Sequence, residues 1–336
     1  MELRHLQALL GISETGSFSA AAVAMGTVQS NVSSHIARLE RELGVALVDR
    51  SSGKLTEEGS LVVARARRMM VELDSMMADV VALRQEVVGT VKVGVIGTTG
   101  RWLVPRLFTL TRERHPHISL NIYDGTSATL EPQLLSGLLD LAVVTLPVPN
   151  DELSATPLFE EDLVLVVPDH HPLARAVDRG AFDQPSSAEG PLAELSPRGG
   201  LGTQRPLPPV PLSELANLDL LLPMPGTALR DEIDLVMKPS GMALRPLMEL
   251  DGLRLIASLV FDGYGPAVLP ATAVPGFLRD RFRLLPVSGL PRRKVGMALR
   301  RRALPSAPTR VVMEILQDMV ADQGTPPEGL HPPLAG

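Results

Sequence analysis

Short polar side chains follow one another from Gln29 to Ser34, and their types suit contacts with the edges of DNA bases. Amide and hydroxyl groups donate and accept hydrogen bonds at close range, and a guanidinium one turn later can reach a phosphate. The candidate DNA-contacting residues of this stretch are Gln29, Ser30, Asn31, Ser33, Ser34 and Arg38. Apolar residues recur beside them at spacings of four, three and four, at Val32, Ile36, Leu39 and Leu43. This period predicts an amphipathic helix from about Gln29 to Leu43 with one polar face.

A second, shorter helix precedes this one. Ser17 or Ser19 caps it, it runs through Ala20–Met25, and Gly26 breaks it. A further helix is predicted over Leu3–Thr15. A helix of small residues, a glycine turn and a polar-fronted helix form the pattern of a helix-turn-helix. The alternative is an ordinary amphipathic helix whose polar face is solvated.

Two short extended segments follow the helix-turn-helix. Residues 44–48 and 54–56 flank a Ser/Gly turn at 51–53, which predicts a β-hairpin, or wing. Arg50 and Lys54 lie at its tip, where a wing would meet phosphate or the minor groove. The alternative is a surface hairpin that carries two charges.

A long helix is predicted over residues 57–88. Its apolar residues alternate spacings of four and three over nearly four heptads. The seam residues are Val62, Ala66, Met69, Leu73, Met76, Val80, Leu83 and Val87. A helix of about 30 residues is about 45 Å long and cannot bury such a seam alone. We therefore predict a homodimer through this helix; the alternative is a core helix of one large domain.

Beyond Gly89 short strands alternate with helices, which predicts an α/β domain with a parallel sheet. A ligand in such a domain lies at the carboxyl ends of strands and the helix N-termini beyond them. The candidate effector-binding residues are Thr98, Thr99, Gly100, Arg101, Thr126, Ser127, Thr145, Thr227 and Tyr264. Free N–H groups, hydroxyls and a guanidinium suit a small organic anion. The alternative is that these are ordinary capping and turn residues.

The charge balance argues against nucleic-acid binding. The net charge is −6, and the first 58 residues hold five basic and seven acidic residues, a net charge of −2. A DNA-binding head is expected to carry a basic footprint. Here that footprint can exist only as a local patch, with two subunits and helix N-termini supplying part of the attraction.

The amino-acid composition indicates the cellular compartment of the protein and which regions are ordered. The chain has no Cys, which excludes disulfides, thiolate metal sites and Cys nucleophiles and indicates a reducing compartment. No apolar run is long enough for a membrane span and no signal-peptide core follows Met1, so a cytoplasmic location is expected. The Pro-rich segment 174–211 predicts a disordered insertion, and residues 321–336 predict a disordered tail.

No residues are spaced for catalysis or for a metal. The run GVIGTTGR lacks the Lys-Ser/Thr ending of a nucleotide-binding loop. His115 and His117, like His170 and His171, have no nearby Cys, so no metal site is predicted. Because no nucleophile–base pair or carboxylate pair stands at informative spacing, we predict neither an enzyme nor a cofactor.

With these residues in view, the chain resembles the LysR-type transcriptional regulators. The N-terminal resemblance lies in LRHLQALL, ETGSFSAAA, QSNVSSHIARLERELG, LVDR and KLTEEG. It continues, in order, over VGTVKVGVIGTTGRWLVP, LLSGLLDLAVV, EDLVLVVPDHHPLA and GYGPAVLP. One departure is Val28, which stands where many relatives have a Ser or Thr that caps the recognition helix, so Thr27 or a water must serve.

The resemblance implies a winged helix-turn-helix over 1–58, a linker helix over 57–88 and an effector domain over 91–320. That domain would have two α/β lobes, like a periplasmic binding protein, with the ligand between them. Lobe I would span about 91–165 and 267–320, and lobe II about 166–266. The resemblance also implies tetramers, inverted-repeat DNA sites near promoters and contact with RNA polymerase.

The sequence thus predicts a DNA-binding transcriptional regulator that responds to a small-molecule effector. Two alternatives stay open at this point. One is a cytoplasmic small-molecule binding protein with impaired DNA binding, motivated by the acidic head and the missing cap. The other is an α/β enzyme with an unrelated helical appendage.

Overall fold

A helical head, a long helix and two α/β lobes follow one another along the chain, which confirms the predicted fold class. The computed structural model describes residues 1–83, 86–182, 207–321 and 328–333. Within these ranges no helix is both long and apolar enough to cross a membrane.

Three helices build the head: α1 (Leu3–Thr15), α2 (Phe18–Ala24) and α3 (Gln29–Leu43). The Ser17 hydroxyl starts α2 by accepting a hydrogen bond from the Ala20 N–H at 3.1 Å. Gly44 ends α3 at a φ of 73°, where an L side chain would be strained. The largest fully buried side chains of the head core are Leu9, Ile12, Ile36, Leu39 and Leu47.

The wing is smaller than predicted. A single antiparallel bridge joins Val48 to Leu55, without a strand on either side. The turn between them is held by the Asp49 carboxylate, which accepts hydrogen bonds from the Ser51 N–H at 2.8 Å and the Ser52 hydroxyl at 2.8 Å. These side-chain bonds add to the backbone bonds from the Asp49 N–H to the Lys54 carbonyl at 2.8 Å and from the Thr56 N–H to the Leu47 carbonyl at 3.0 Å.

The long helix α4 spans Glu57–Ala82 and is shorter than the predicted 57–88. The Thr56 hydroxyl caps it by accepting from the Gly59 N–H at 2.9 Å. The placement of Val87 on the helical seam was wrong, because Val87 lies beyond the helix and packs on the core of the following domain. Ala66 is buried in the head's own core and Val62 packs there too, so the head covers this end of the seam.

Lobe I begins with strands and helices in strict alternation, as predicted. They are β1 (Gly89–Ile96), α5 (Gly97–Arg114), β2 (Ile118–Gly125), α6 (Ser127–Ser136) and β3 (Leu141–Thr145). Strand β4 (Leu153–Glu161) comes next and was not predicted. Its residues 154–157 are exposed and 158–161 are buried, so it lacks the alternation by which a strand is recognised.

Within the described residues, lobe II has the following α-helices and β-strands. They are β5 (Leu163–Pro168), α7 (Pro172–Asp178), α8 (Ser213–Ala216), β6 (Asp219–Pro223), α9 (Ala228–Met237), β7 (Arg245–Leu250), α10 (Leu253–Phe261), β8 (Ala267–Pro270) and β9 (Phe282–Pro286). The chain returns to lobe I with β10 (Arg293–Arg300), α11 (Ala307–Ala321) and β11 (Leu330–His331). The lobe I sheet has the order β11-β4-β10-β3-β1-β2, and lobe II has the sheets β8-β5-β9 and β6-β7.

Strand pairing corrects the predicted boundary between the lobes. The chain crosses to lobe II at Asp162, between β4 and β5, and not after about residue 165. Strands β8 and β9 were assigned to lobe I, but both pair antiparallel with β5 and belong to lobe II. The chain returns only between Val287 and Arg293.

Parts of both segments that were predicted to be disordered have a defined structure. Helix α7 covers the start of the Pro-rich segment, and near its end Val210 is fully buried and bridges to Val287. Residues 183–206 lie outside the described ranges. In the tail, β11 pairs with the end of β4, and Leu330 reaches the lobe I core because this edge of β4 has no other partner.

Candidate functional site

The polar face of α3 is presented to solvent, as its sequence predicts. Val32, Ile36 and Leu39 are fully buried and fix the helix on the head core. Of the predicted base-contacting residues Ser33 is half-buried and the others are exposed: Gln29, Ser30, Asn31 and Ser34.

The start of α3 carries no side-chain cap, as Val28 implied. Thr27 does not substitute, because its hydroxyl accepts a hydrogen bond from the Asn31 Nδ2 at 2.9 Å instead. The Ser19 hydroxyl donates to Gln29 Oε1 at 2.8 Å. Two carboxamides at the head of α3 are therefore held in place by neighbours, and the first N–H groups of the helix remain suited to a phosphate.

The predicted phosphate-contacting cations are engaged with acids. Arg50 lies 3.2 Å from Glu40, and Arg38 lies 3.7 Å from Glu42 and 3.9 Å from Glu2. Lys54 makes no ion pair with any residue that the structure describes. Such exposed pairs are worth little, so a phosphate can compete for these arginines.

The wing turn adds a negative charge beside these cations. Hydrogen bonds from Ser51 and Ser52 lower the pKa of Asp49 to about 2, so its carboxylate is ionised at neutral pH. The local positive patch that the resemblance requires is thus weak in a single head.

The predicted anion site at the start of α5 is filled from within the protein. Thr98 and Thr99 are buried, and their hydroxyls accept hydrogen bonds from Arg293 Nη2 at 3.1 and 3.0 Å. Arg293 Nε donates to Glu161 Oε1 at 2.6 Å, and the Thr272 hydroxyl donates to Glu161 Oε2 at 2.8 Å. We call these five side chains the buried arginine cluster. It joins α5, the end of β4, the start of β10 and a helical turn after β8, and so spans both lobes.

The charge of the buried arginine cluster acts on the pKa of one acidic residue of lobe II, Glu232. Burial raises the pKa of Glu232 on α9, and the positive charge of Arg293 opposes that rise. Helix α9 therefore faces the lobe junction.

Three other predicted effector residues meet at the carboxyl edge of the lobe I sheet. The parallel pairs Ile96–Gly125 and Val95–Val143 bring the ends of β1, β2 and β3 together. There the Thr145 N–H donates to the Ser127 hydroxyl at 3.0 Å. The Thr126 hydroxyl caps α6 by accepting from the Thr129 N–H at 3.3 Å, which is the ordinary capping role weighed as the alternative.

The two predicted effector residues of lobe II, Thr227 and Tyr264, have other surroundings. The Thr227 hydroxyl donates to the Met224 carbonyl at 2.8 Å. Tyr264 is 64% exposed and follows the C-terminal end of α10. The opposite end of α10, about 15 Å away along the helix, is the end that faces lobe I. Tyr264 therefore lies at the end of α10 that is farther from the α5 start, and its part in an effector site stays a prediction.

Arg254, at the lobe I end of α10, is a contact that sequence reasoning missed. Its guanidinium forms an ion pair with Asp124 at the end of β2. Its side chain also covers Gly97, where an added Cβ would lie 3.2 Å from Arg254 Nε. Gly97 thus leaves room for a lobe II cation over the first residue of α5. The two partners are 130 residues apart in sequence, so no spacing signals the pair.

Gly100 and Arg101 face other surroundings. A Cβ at Gly100 would lie 3.3 Å from a methyl group of Val95, so this residue serves the packing of α5 on β1. Arg101 is exposed and lines a separate cavity with Trp102 and Pro105. The four residues predicted to form one anion site are therefore divided between the buried arginine cluster, the sheet and this cavity.

A helix-turn-helix with an exposed polar face, joined by a long helix to two α/β lobes with a charged junction, defines a class: transcriptional regulators with an effector-binding domain. Two family models match the chain. "Bacterial regulatory helix-turn-helix protein, lysR family" matches residues 3–60, and "LysR substrate binding domain" matches 84–184 and 203–321. The chain belongs to the LysR family of DNA-binding transcriptional regulators.

Curated relatives cover nearly the whole chain. A probable hydrogen peroxide-inducible genes activator of Streptomyces viridosporus is 28% identical over 95% of both chains. The DNA-binding transcriptional dual regulator OxyR of Escherichia coli K12 is 27% identical, again over 95% of both chains. These relatives are regulators and not enzymes, as predicted, and neither alternative function is supported.

Solved structures share the fold. A full-length OxyR of Pseudomonas aeruginosa superposes with a TM-score of 0.67 at 23% identity, covering 95% of this chain and 94% of its own. Full-length CbnR complexed with its target DNA gives a TM-score of 0.62 at 19% identity, covering 96% and 99% of the two chains. Both likenesses establish the arrangement of a DNA-binding head and a two-lobed domain.

Proposed function

We propose that two copies of this protein join through α4 and present their α3 helices to the two halves of an inverted-repeat DNA site. Beyond Ala66, α4 leaves large apolar side chains exposed. The predicted seam residues among them are Met69, Met76 and Val80, and Leu83 follows directly after the helix. Apolar side chains along an isolated helix call for a partner, and a second α4 supplies the same surface in register. Assembly into a tetramer that meets RNA polymerase at a promoter in the cytoplasm belongs to the same proposal, following the family resemblance.

The observation that carries the DNA part is the polar face of α3, exposed beside an uncapped helix N-terminus. Two heads add two such faces and two helix dipoles, which offsets the acidic balance of a single head. Pairing heads also explains how a weak local patch can suffice, because the second contact forms at a high effective concentration.

The first prediction concerns base reading by Asn31 and Ser34. We expect the protein to bind DNA upstream of its own gene with an affinity that falls steeply as salt rises. The double substitution Asn31→Ala/Ser34→Ala should weaken specific binding about tenfold, since a base-edge contact discriminates by about 1–3 kcal/mol. Fluorescence anisotropy at several salt concentrations measures both.

Ser60→Ala is the matched control, because Ser60 is an exposed serine whose hydroxyl donates only to its own helix at Thr56. No binding by the wild type at low salt would show that the acidic head overrides the motif. Equal loss in the Ser60→Ala protein would show that the effect is not base reading.

We further propose that the effector is a small organic anion held between the lobes at the carboxyl edge of the lobe I sheet. Arg254 brings a cation across the junction, and its partner Asp124 is an internal carboxylate that a ligand carboxylate can replace. The N-terminus of α5 and the Ser127 hydroxyl line the same edge. The peroxide-inducible relatives suggest an oxidant signal, but a chain without Cys cannot sense it through a thiol.

Contacts between α4 and lobe I provide a route from effector to head. Arg68 Nε donates to the Leu135 carbonyl at 2.6 Å, and Asp79 Oδ1 accepts from the Ala307 N–H at 2.7 Å and from Arg310 Nη2 at 3.2 Å. A shift of the lobes would therefore move α4, which sets the spacing of the two heads.

The second prediction tests Arg254. Small dicarboxylates such as malonate and succinate should raise the melting temperature of the wild type in a thermal-shift assay, because a ligand that binds only the folded state stabilises it. Arg254→Met should abolish the shift. Arg245→Met is the control, since Arg245 forms a comparable exposed ion pair with Asp219 at 2.8 Å elsewhere in lobe II. An undiminished shift in Arg254→Met would remove Arg254 from the site.

A further inference from the structure

A cavity of about 800 Å³ lies along α5 beyond the buried arginine cluster. One wall is α5, and the other is the segment between β8 and β9. It is separate from the junction where Arg254 meets Asp124. Its volume is in the range of cavities that hold small organic molecules, about 300–1,000 Å³.

The walls of this cavity are mainly apolar. Five apolar residues line it: Trp102, Pro105, Val274, Pro275 and Phe277. Trp102 is fixed by an edge-on contact with Phe159, with ring centroids 5.5 Å apart. Phe277 is 82% exposed at the rim, although a phenyl ring gains by leaving water. These apolar walls can pack against the aromatic or aliphatic part of a ligand.

Two arginines, Arg101 and Arg279, lie at the rim of this cavity. Arg101 is exposed and makes no ion pair or hydrogen bond with any residue in the described ranges. Arg279 is paired with Glu328 at 3.2 Å in the C-terminal segment. Among the lining residues there is no carboxylate. A single unpaired guanidinium beside apolar walls complements a molecule with one negative charge and an apolar body.

We propose that this cavity, which we call the α5 cavity, is a second ligand site that binds an apolar monocarboxylate through Arg101. The apolar body lies between Trp102 and Phe277, and the carboxylate accepts hydrogen bonds from the guanidinium. Ligand binding in the α5 cavity does not depend on the anion proposed between the lobes.

Thr272 connects the α5 cavity to the lobe junction. It lines the cavity and is also the residue whose hydroxyl holds Glu161 at 2.8 Å. Glu161 in turn holds Arg293, which binds Thr98 and Thr99 at the start of α5. A ligand that moves Thr272 therefore acts on the same contacts that hold the lobes together, so occupation of the cavity should change ligand binding at the junction, and the reverse.

The sole tryptophan of the chain makes the proposal directly testable. Trp102 lines the cavity, so all tryptophan fluorescence of the full-length protein reports on this site. We expect phenylacetate, hexanoate and octanoate to change that fluorescence saturably at millimolar concentrations or below. The neutral amides phenylacetamide, hexanamide and octanamide should bind at least about tenfold more weakly, because they lose the charge-assisted hydrogen bond.

Two variants localise the binding. Arg101→Gln should weaken the carboxylates about tenfold or more and remove their preference over the amides. Phe277→Ser should weaken octanoate without unfolding the protein, because the ring is already exposed. Arg112→Gln is the matched control, since Arg112 is an exposed arginine on the same helix whose guanidinium lies over Phe108.

Three results would overturn the proposal. One is an unchanged Trp102 spectrum with all three carboxylates up to their solubility limits. The second is equal binding of acid and amide that Arg101→Gln leaves unaltered. The third is a spectrum that depends on protein concentration alone, which would show that a second copy of the chain fills the cavity. None of these readouts uses DNA, so failure here leaves the regulator function untouched, and loss of DNA binding leaves this test intact.

Discussion

We expect Arg293→Met to lower the free energy of unfolding by about 3–5 kcal/mol, the cost of leaving one member of a buried ion pair without its partner. The Arg293 side chain is 7% exposed and that of Glu161 is fully buried. With Met at 293, the Glu161 carboxylate keeps only Thr272 as a hydrogen-bond donor, and the hydroxyls of Thr98 and Thr99 lose the donor they share.

Urea unfolding of the wild type, Arg293→Met and the double variant Arg293→Met/Glu161→Leu measures this effect. The double variant removes the stranded charge, so it should recover a large part of the loss. Thr309→Val is the control for replacing a buried polar side chain with an apolar one. Thr309 is 3% exposed and lies outside the buried arginine cluster. Equal stability of the single and double variants would contradict the assignment of the loss to an unpaired Glu161.

Met76→Glu should turn the proposed dimer into a monomer and weaken DNA binding about 100-fold or more, because the second head loses its high effective concentration. A charge at a seam position of α4 would be buried against the partner helix without a counter-ion. Light scattering after gel filtration measures the mass, and anisotropy on the same DNA measures the affinity.

Met77→Glu is the matched control for this variant. It makes the same change in the neighbouring residue, which is 60% exposed against 57% for Met76 but lies about 100° further round the helix. A seam predicts a smaller effect at Met77 than at Met76. If the two substitutions act alike, or if Met76→Glu remains a dimer that binds DNA normally, α4 does not pair in the predicted register.

Prediction from sequence succeeded where the signal is local. Helices α1 and α3 have the predicted bounds, because the repeat of apolar residues at spacings of three and four lies within one segment of the sequence. The absence of a side-chain cap at the start of α3 was also predicted, because it depends only on the residue type at position 28.

Prediction failed where the deciding contact is distant. Whether β8 belongs to lobe I or lobe II depends on its pairing with β5, about a hundred residues earlier. The predicted end of α4 was wrong for a related reason. Val87 fits the helical repeat, but it packs on the lobe I core and lies outside the helix.

The candidate sites show the same division. Thr98, Thr99 and Arg101 stand together in sequence and look like one anion site. In the fold, the hydroxyls of both threonines accept hydrogen bonds from Arg293 on β10, while Arg101 faces the α5 cavity.

The sequence by itself determined that this chain has a helix-turn-helix head with a polar recognition helix, a long amphipathic helix and an alternating α/β domain, since each is written in residue types and periods a few positions long. Only the tertiary structure decided where the chain changes lobes, that β11 returns to the lobe I sheet, and which side chains meet at the lobe junction. Those outcomes depend on partners more than a hundred residues apart, such as Arg293 and Glu161 or Arg254 and Asp124, whose separations of 132 and 130 residues leave no pattern in the chain.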